Sequence, residues 1–193
     1  MKNLEKKLKT FFEKEDGARE KALKLSREVG RMAADSIKKI HQRNFKEGEK
    51  EIGEALEILK NAKKTLKDFP EIRYAGFLHA AEKELAEAVV TLNIIKNGLI
   101  PRPDSYGFDY KSYLHGLCES NGELRRYMLD EIRKGEVDKC EKMLAMMDDI
   151  YYFLLNFQYT DAITRSLRRQ VDYVRSMLER ARSEVTLAKI NMR

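Results

Sequence analysis

Proline occurs only at positions 70, 101 and 103 of this 193-residue chain. An interior proline costs a helix about 3 kcal/mol, so where it stands constrains the fold more than any other residue does. The long segments it leaves untouched carry apolar residues at helical spacing, and none shows strand-like alternation of useful length. The chain therefore reads as all-α, about seven helices joined by short turns.

The breakers give approximate boundaries. Gly17 is expected to divide a short leading helix from a long one ending near Asn44, and a turn at Asn44–Gly48 leads into a helix over Glu49–Lys67. Phe69-Pro70 ends that hairpin, because the residue before proline avoids the helical region. One helix is expected over Glu71–Lys96, closed by Asn97-Gly98 as a left-handed cap. The stretch Ile100–Gly107 is a Pro-rich loop. Helices follow from near Asp109 to Lys134, from Glu136 to about Asn156, and from near Asp161 onward. Short connections favour an antiparallel helical bundle, and the length suits one core in a single domain, 1–193.

Charged residues make up 36% and apolar residues 42% of the chain, a globular composition with a charge-dense surface. The net charge of +6 fits a polyanionic partner. Cys118 and Cys140 have no metal-like spacing and read as core thiols of a reducing, cytoplasmic compartment. No run approaches the length of a membrane span or a signal peptide, so a soluble protein with no membrane association is expected.

Two segments place acids among apolar neighbours. In Ala80–Val90, Glu84 and Glu87 stand one turn apart on a helix whose core stripe is Leu78, Leu85, Val89 and Leu92. The same spacing at Glu51, Glu54 and Glu57 lies opposite Ile52, Ala55 and Leu59 and is a solvated face. Asp149 has Ala145, Met146, Tyr152 and Phe153 as its helical neighbours, whereas Asp148 points elsewhere. Carboxylates are costly to bury unless neutralised. Glu84, Glu87 and Asp149 could together form an oxygen-only site for Mg²⁺ or Mn²⁺, able to activate water against a phosphodiester. The alternative is salt bridging to cations such as Lys83.

Other chemistries are thinned out. Residues Lys38, Gly76 and Ser112, three before the histidines, rule out the Glu-x-x-His of a di-iron site. The Glu-x-x-Asp that follows Glu-x-x-Glu in helical nucleotide pyrophosphatases is missing after Glu87. No Gly-rich phosphate loop, nucleophile elbow or Cys/His ligand set is present. Positive charge gathers on the first long helix, including Arg27, Arg31 and Lys38, and on the last, including Arg165, Arg168 and Arg169. Arginine forks suit phosphate, and a groove lined this way would bind nucleic acid with strong salt dependence. Tyr106, Tyr110 and Tyr113 could stack on unpaired bases or pack the helix start.

The stretch Phe108–Gly116, continuing through Gly122-Glu123-Leu124-Arg125-Arg126, resembles the signature region of translin and its partner Trax. Leu25-Ser26-Arg27-Glu28, Asp68-Phe69-Pro70 and Leu154-Leu155-Asn156 match in the same order over nearly the whole chain. The resemblance implies a seven-helix fold assembled into hollow octamer-like shells that bind single-stranded RNA and DNA. Trax-type chains are metal-dependent ribonucleases, whereas translin chains mainly bind. The Trax pattern has a Glu-x-x-Glu on the long middle helix and an Asp seven residues before a later Asn, which here are Glu84, Glu87 and Asp149. Leu154-Leu155-Asn156 is closer to translin, a mixture that suits a single-gene form assembling alone. Glu123 also matches, and is open between a metal ligand and an ion pair with Arg125 or Arg126. The resemblance thus implies a homo-oligomeric, Mg²⁺-dependent endoribonuclease acting on single-stranded RNA and also on ssDNA, with Arg125 and Arg126 joining the basic residues above. The alternative is a non-catalytic single-strand-binding shell.

Overall fold

In the computed structural model, which describes residues 1–191, Gly17 does not interrupt the first helix: α1 runs unbroken over Lys2–His41. A Cβ at Gly17 would meet nothing within 4 Å, and one exposed glycine costs a helix only about 0.5–1 kcal/mol, too little to end it. The described chain continues as α2 (Phe45–Thr65), α3 (Pro70–Arg73), α4 (Phe77–Asn97), α5 (Tyr110–Arg133), α6 (Val137–Leu154), α7 (Asp161–Thr164) and α8 (Leu167–Asn191), with 3₁₀ turns at Pro103–Tyr106 and Leu155–Phe157. The protein is all-α, and no strand occurs among the described residues.

Two expected helices are each split. Glu71–Lys96 becomes α3 and α4 because Gly76 adopts a φ of +106°, which only glycine takes readily. The C-terminal helix becomes α7 and α8 because Arg165 and Ser166 both lie at positive φ. Gly98, at φ +65°, caps α4 in the left-handed conformation expected of Asn97-Gly98.

Short turns make antiparallel neighbours of α1 and α2, where Lys39 pairs with Glu51, and of α5 and α6, where Cys140 Sγ lies 3.5 Å from the Met128 carbonyl. Asp148 and Glu141 of α6 pair with Arg182 and Lys189, so α8 is antiparallel to α6. The Pro-rich loop is different. It returns along the length of α4, and the Asp109 N–H donates to Glu82 Oε1 at 2.6 Å. Consequently α4 and α5 run in the same direction, with His79 beside Ser112 and Ala86 beside Gly116. α8 follows the same direction on α5, from Thr164 against His115 to Glu184 against Arg125.

Gly116 sets how closely α4 and α5 approach. A Cβ there would stand 2.7 Å from Ala86 Cβ and 2.9 Å from the Lys83 carbonyl, so only glycine fits. Around this crossing a single cluster buries Leu85, Val89, Leu117, Leu124, Ile150, Leu154 and Val174. The first turns of α1 project beyond it: Leu4, Leu8, Phe11 and Phe12 are exposed, while Ala22, Val29 and Met32 farther along the same helix are core residues. No described helix is long and apolar enough to cross a membrane.

Candidate functional site between α4, α5 and α8

The parallel run of α4, α5 and α8 brings one face of each to a cleft of about 600 Å³, within the range of small-ligand sites. Glu87 lines it from α4, Glu119 and Gly122 from α5, Arg165 from the α7–α8 junction, and Arg169 and Tyr173 from the start of α8. Among the described residues Glu84 and Glu87 form no salt bridge, nor do Arg165 and Arg169. The expected alternative for the pair, bridging to Lys83, is not realised: Lys83 Nζ binds Glu119 Oε1 instead, at 2.5 Å. Glu84 lies toward α1, its Oε2 2.8 Å from where a Gly30 Cβ would be. Glycine at position 30 is what gives that carboxylate its room.

Burial pushes the Glu87 carboxyl up to about 8, and the charges of Glu119, Glu123 and Glu84 push the same way, with Lys83 opposing them. A carboxylic acid surrounded by carboxylates holds its proton until a cation arrives. Glu123 behaves oppositely. His41 on α1 hydrogen-bonds it and holds its carboxyl below the usual range, and Arg126 lies 3.6 Å away. Of the two arginines expected as partners of Glu123, Arg126 is beside it and Arg125 is held by Glu184 instead. The Cys118 thiol, buried beside the cleft, is pushed up to about 12 and is no nucleophile at neutral pH.

Asp149 is not part of this cleft. It lines another, about 800 Å³, with Pro101, Leu114, Ile150, Phe153 and Tyr159. Helix α5 stands between the two. At about 100° per residue, Leu114 and Leu117 point toward Asp149 while Cys118, Glu119 and Gly122 point toward Glu87. The expected set Glu84/Glu87/Asp149 is thus not assembled in this chain. Glu119, which the sequence reading passed over, stands with Glu87 instead; its signal was an acid set among the buried residues Leu117, Cys118, Ser120 and Asn121.

The predicted basic residues separate as well. Arg165 and Arg169 reach the Glu87 cleft, and Arg168 lines a different one near Tyr151 and Asp172. Arg125 is held by Glu184, with Nε to Oε2 at 3.0 Å. Arg27 donates to its own helix at Leu23, and Arg31 and Lys38 are exposed on α1. Of the tyrosines, Tyr113 is buried and donates to the Pro101 carbonyl at 2.6 Å, and Tyr106 stacks on Phe108. Tyr110 remains exposed.

Among the described residues no three His, Cys, Asp or Glu side chains stand together as a complete metal cage. Mg²⁺ usually takes one or two carboxylates and completes its shell with water and substrate phosphate. Glu87 and Glu119, all-oxygen donors in which burial and then the surrounding negative charge raise the Glu87 carboxyl, fit that mode.

No family model matches the chain. It is 33% identical over 180 residues to an uncharacterized protein of Methanocaldococcus jannaschii, covering 91% of this chain and 78% of that one. It is similar to the solved structure of AfC3PO in complex with duplex RNA, with a TM-score of 0.89 and 32% identity over 96% of both chains. Apo-NeC3PO shares the fold at a TM-score of 0.88 and 22% identity, over 97% of this chain and 98% of that one.

Proposed function

The chain belongs to the translin/Trax family, and on that premise we propose that it binds RNA and cleaves it as a Mg²⁺-dependent endoribonuclease. The observation that carries this reading is the Glu87 cleft. Glu87 of α4, which forms no salt bridge, faces two unpaired arginines, Arg165 at the α7–α8 junction and Arg169 of α8, when direct ion pairs would be the cheaper arrangement if the cleft were only structural. A phosphodiester placed between them meets Arg165 and Arg169 on one side and the carboxylates on the other. RNA binding is further supported by the relative solved with duplex RNA.

Arg165 and Arg169 would hold and orient the strand through forked hydrogen bonds to phosphate oxygens. Tyr173 offers a ring on which a base can stack. Glu87 and Glu119 would hold the cation, with Glu84 at the α1 side. Bound there, Mg²⁺ or Mn²⁺ supplies Lewis acidity at a phosphate oxygen and a water of lowered pKa. Lys83, bound to Glu119, is the group that would have to yield or share.

The exposed first turns of α1 support homo-oligomerisation, up to the octamer of the sequence-based expectation. Leu4, Leu8 and Phe11 extend an apolar stripe that Ala22, Val29 and Met32 bury in this chain's own core. A second copy is the occupant proposed. A Leu8→Glu/Phe11→Glu protein should run as a smaller species in light scattering, and an unchanged mass would remove the arm from the interface.

The ribonuclease reading is tested with labelled single-stranded RNA, duplex RNA and ssDNA, with Mg²⁺ or with chelator. Wild type should cleave RNA only with the metal, and Glu87→Gln should lose activity by about 100-fold or more. Undiminished cleavage by both Glu87→Gln and Glu119→Gln would sink the site. A second reading, RNA binding without turnover, is favoured by the Lys83–Glu119 contact, which neutralises one carboxylate without metal. It predicts salt-sensitive binding and no metal-dependent products from any of the three substrates.

A further inference from the structure

Behind the Arg165 side chain lies a second, smaller cleft at the meeting of α3, the start of α4, the start of α5 and the α7–α8 junction. Its acids are already satisfied. Glu82, buried, takes Lys63 Nζ at 2.5 Å and the Asp109 N–H at 2.6 Å, while Asp109 caps α5 by accepting from the Lys111 N–H at 3.0 Å. Its remaining cations are not. Among the described residues Arg73, Lys111 and Arg165 have no carboxylate partner, yet all three line this one cleft. Arg165 is pinned there, since its Nη2 donates to the Tyr74 carbonyl at 3.1 Å and its backbone takes a left-handed conformation.

Two further features favour an anion. The 24-residue helix α5 opens at the cleft, with Lys111 and Ser112 in its first turn, so its dipole adds to the positive field, offset in part by the Asp109 carboxylate that caps it. His79, hydrogen-bonded through Nδ1 to Ser112 Oγ at 2.7 Å, is pushed down to about 4 by burial, by Arg165 and by His115. Asp109 opposes the shift, but burial and the neighbouring cations outweigh it and leave the ring neutral. The cleft encloses about 70 Å³, roughly twice the ~30 Å³ that a water occupies in the liquid. That is space for a phosphate-sized group and not for a nucleoside.

We propose that this cleft is a phosphate subsite in which Arg73, Lys111 and Arg165 seat a phosphate of the bound strand. Because Arg165 also lines the Glu87 cleft, the seated phosphate is a near neighbour of the one presented to Glu87 and Glu119. The subsite thereby fixes the register of the strand at the carboxylates. The identity of the ligand as a nucleic-acid phosphate rests on the function proposed above; recognition of phosphate does not. Either a terminal phosphate or an internal phosphodiester offers the required oxygens.

The direct test is to titrate inorganic phosphate into the intact protein at constant ionic strength and follow the His79 ring by NMR. Wild type should show a saturable shift and a rise of the His79 pKa by one unit or more, and an Arg73→Gln/Lys111→Gln protein should show neither. Lys111 is exposed and Arg73 half-buried, and a matching circular dichroism spectrum establishes that the variant is folded. Binding of short RNAs carrying a 5′-phosphate, a 3′-phosphate or hydroxyl ends then identifies the source. A terminal-phosphate site gives tighter binding to one phosphorylated end only, lost at least tenfold in the double variant. An internal site gives an equal tenfold loss for all three. A silent His79 together with unchanged RNA affinity in the double variant would overturn the subsite, even if Mg²⁺-dependent cleavage were normal. Absence of cleavage with an intact phosphate response would instead overturn the ribonuclease reading and leave the subsite standing.

Discussion

Glu87 and Asp149 look alike in sequence, each an acid in a helical segment rich in apolar residues, yet they open onto different clefts across α5. Glu87 shares its cleft with Glu119 and faces Arg165 and Arg169. Asp149 lines one walled by Pro101, Leu114, Ile150, Phe153 and Tyr159. The first setting raises a carboxyl by burying it and crowding it with like charge, and leaves phosphate-binding groups opposite. The second has no other acid with which to share a cation. An acid among apolar neighbours in sequence need not be buried: Glu87 is half-buried and Asp149 exposed, and what each one meets belongs to the neighbouring helices.

The comparison breaks most easily at the acids themselves. Glu87→Gln should reduce Mg²⁺-dependent RNA cleavage by about 100-fold or more, while Asp149→Asn should stay within about threefold of wild type in the same assay. Equal losses would place both acids in one site and undo the distinction.

The spacing of α4 and α5 comes next. Gly116→Ala puts a Cβ 2.7 Å from Ala86 and 2.9 Å from the Glu87 nitrogen. Overpacking of this kind costs about 1–3 kcal/mol, and a chain of this size loses about 2–4 °C of Tm per kcal/mol. Cleavage should fall along with thermal stability as Glu87 and Glu119 are moved apart, whereas the Asp149 cleft, on the other face of α5, should keep any apolar probe it binds.

The raised Glu87 pKa gives the contrast a pH signature in chelator. The native carboxyl keeps its proton up to about 8 while an unfolded one releases it near the usual 4.5, so wild type loses stability as pH rises through that window. Glu87→Gln removes the loss. In urea unfolding the variant should gain on wild type from pH 5 to pH 9, and Asp149→Asn should not; parallel curves for all three proteins would contradict the raised Glu87 carboxyl.

Arg169→Gln should weaken RNA binding by a few-fold and lower the salt slope by about one, while Arg102→Gln, at the Asp149 cleft, should leave the slope unchanged. The smallest effect is expected for Asp149→Leu, which takes a lone acid off an apolar wall and should change stability by less than about 1 kcal/mol, with cleavage intact.

Much of the architecture was legible because it depends on local chemistry. Proline at 70, 101 and 103, the Asn97-Gly98 cap and the helical spacing of apolar residues marked most helix boundaries. Gly17 misled because an exposed glycine in a long helix is cheap. The break at Gly76 was missed because the glycine sits within a segment whose flanks are both helical. The positive φ values at Arg165 and Ser166 carried no signal at all, since neither residue type prefers that conformation. Of the candidate site, Glu84 and Glu87 were found by their neighbours. Glu119 was overlooked because one acid on α5 has no periodic partner that singles it out.

The amino-acid sequence by itself determined most of the helices and the translin/Trax kinship, since periodicity, breakers and matched segments are properties of the chain in order. Only the tertiary structure decided which acids share a cleft. The Pro-rich loop returns the chain so that α5 runs alongside α4 in the same direction, Gly116 lets the two helices close, and α5 then carries Glu119 to Glu87 on one face while shielding Asp149 behind the other. Helix direction and contact are set by packing between distant segments, and no local pattern encodes them.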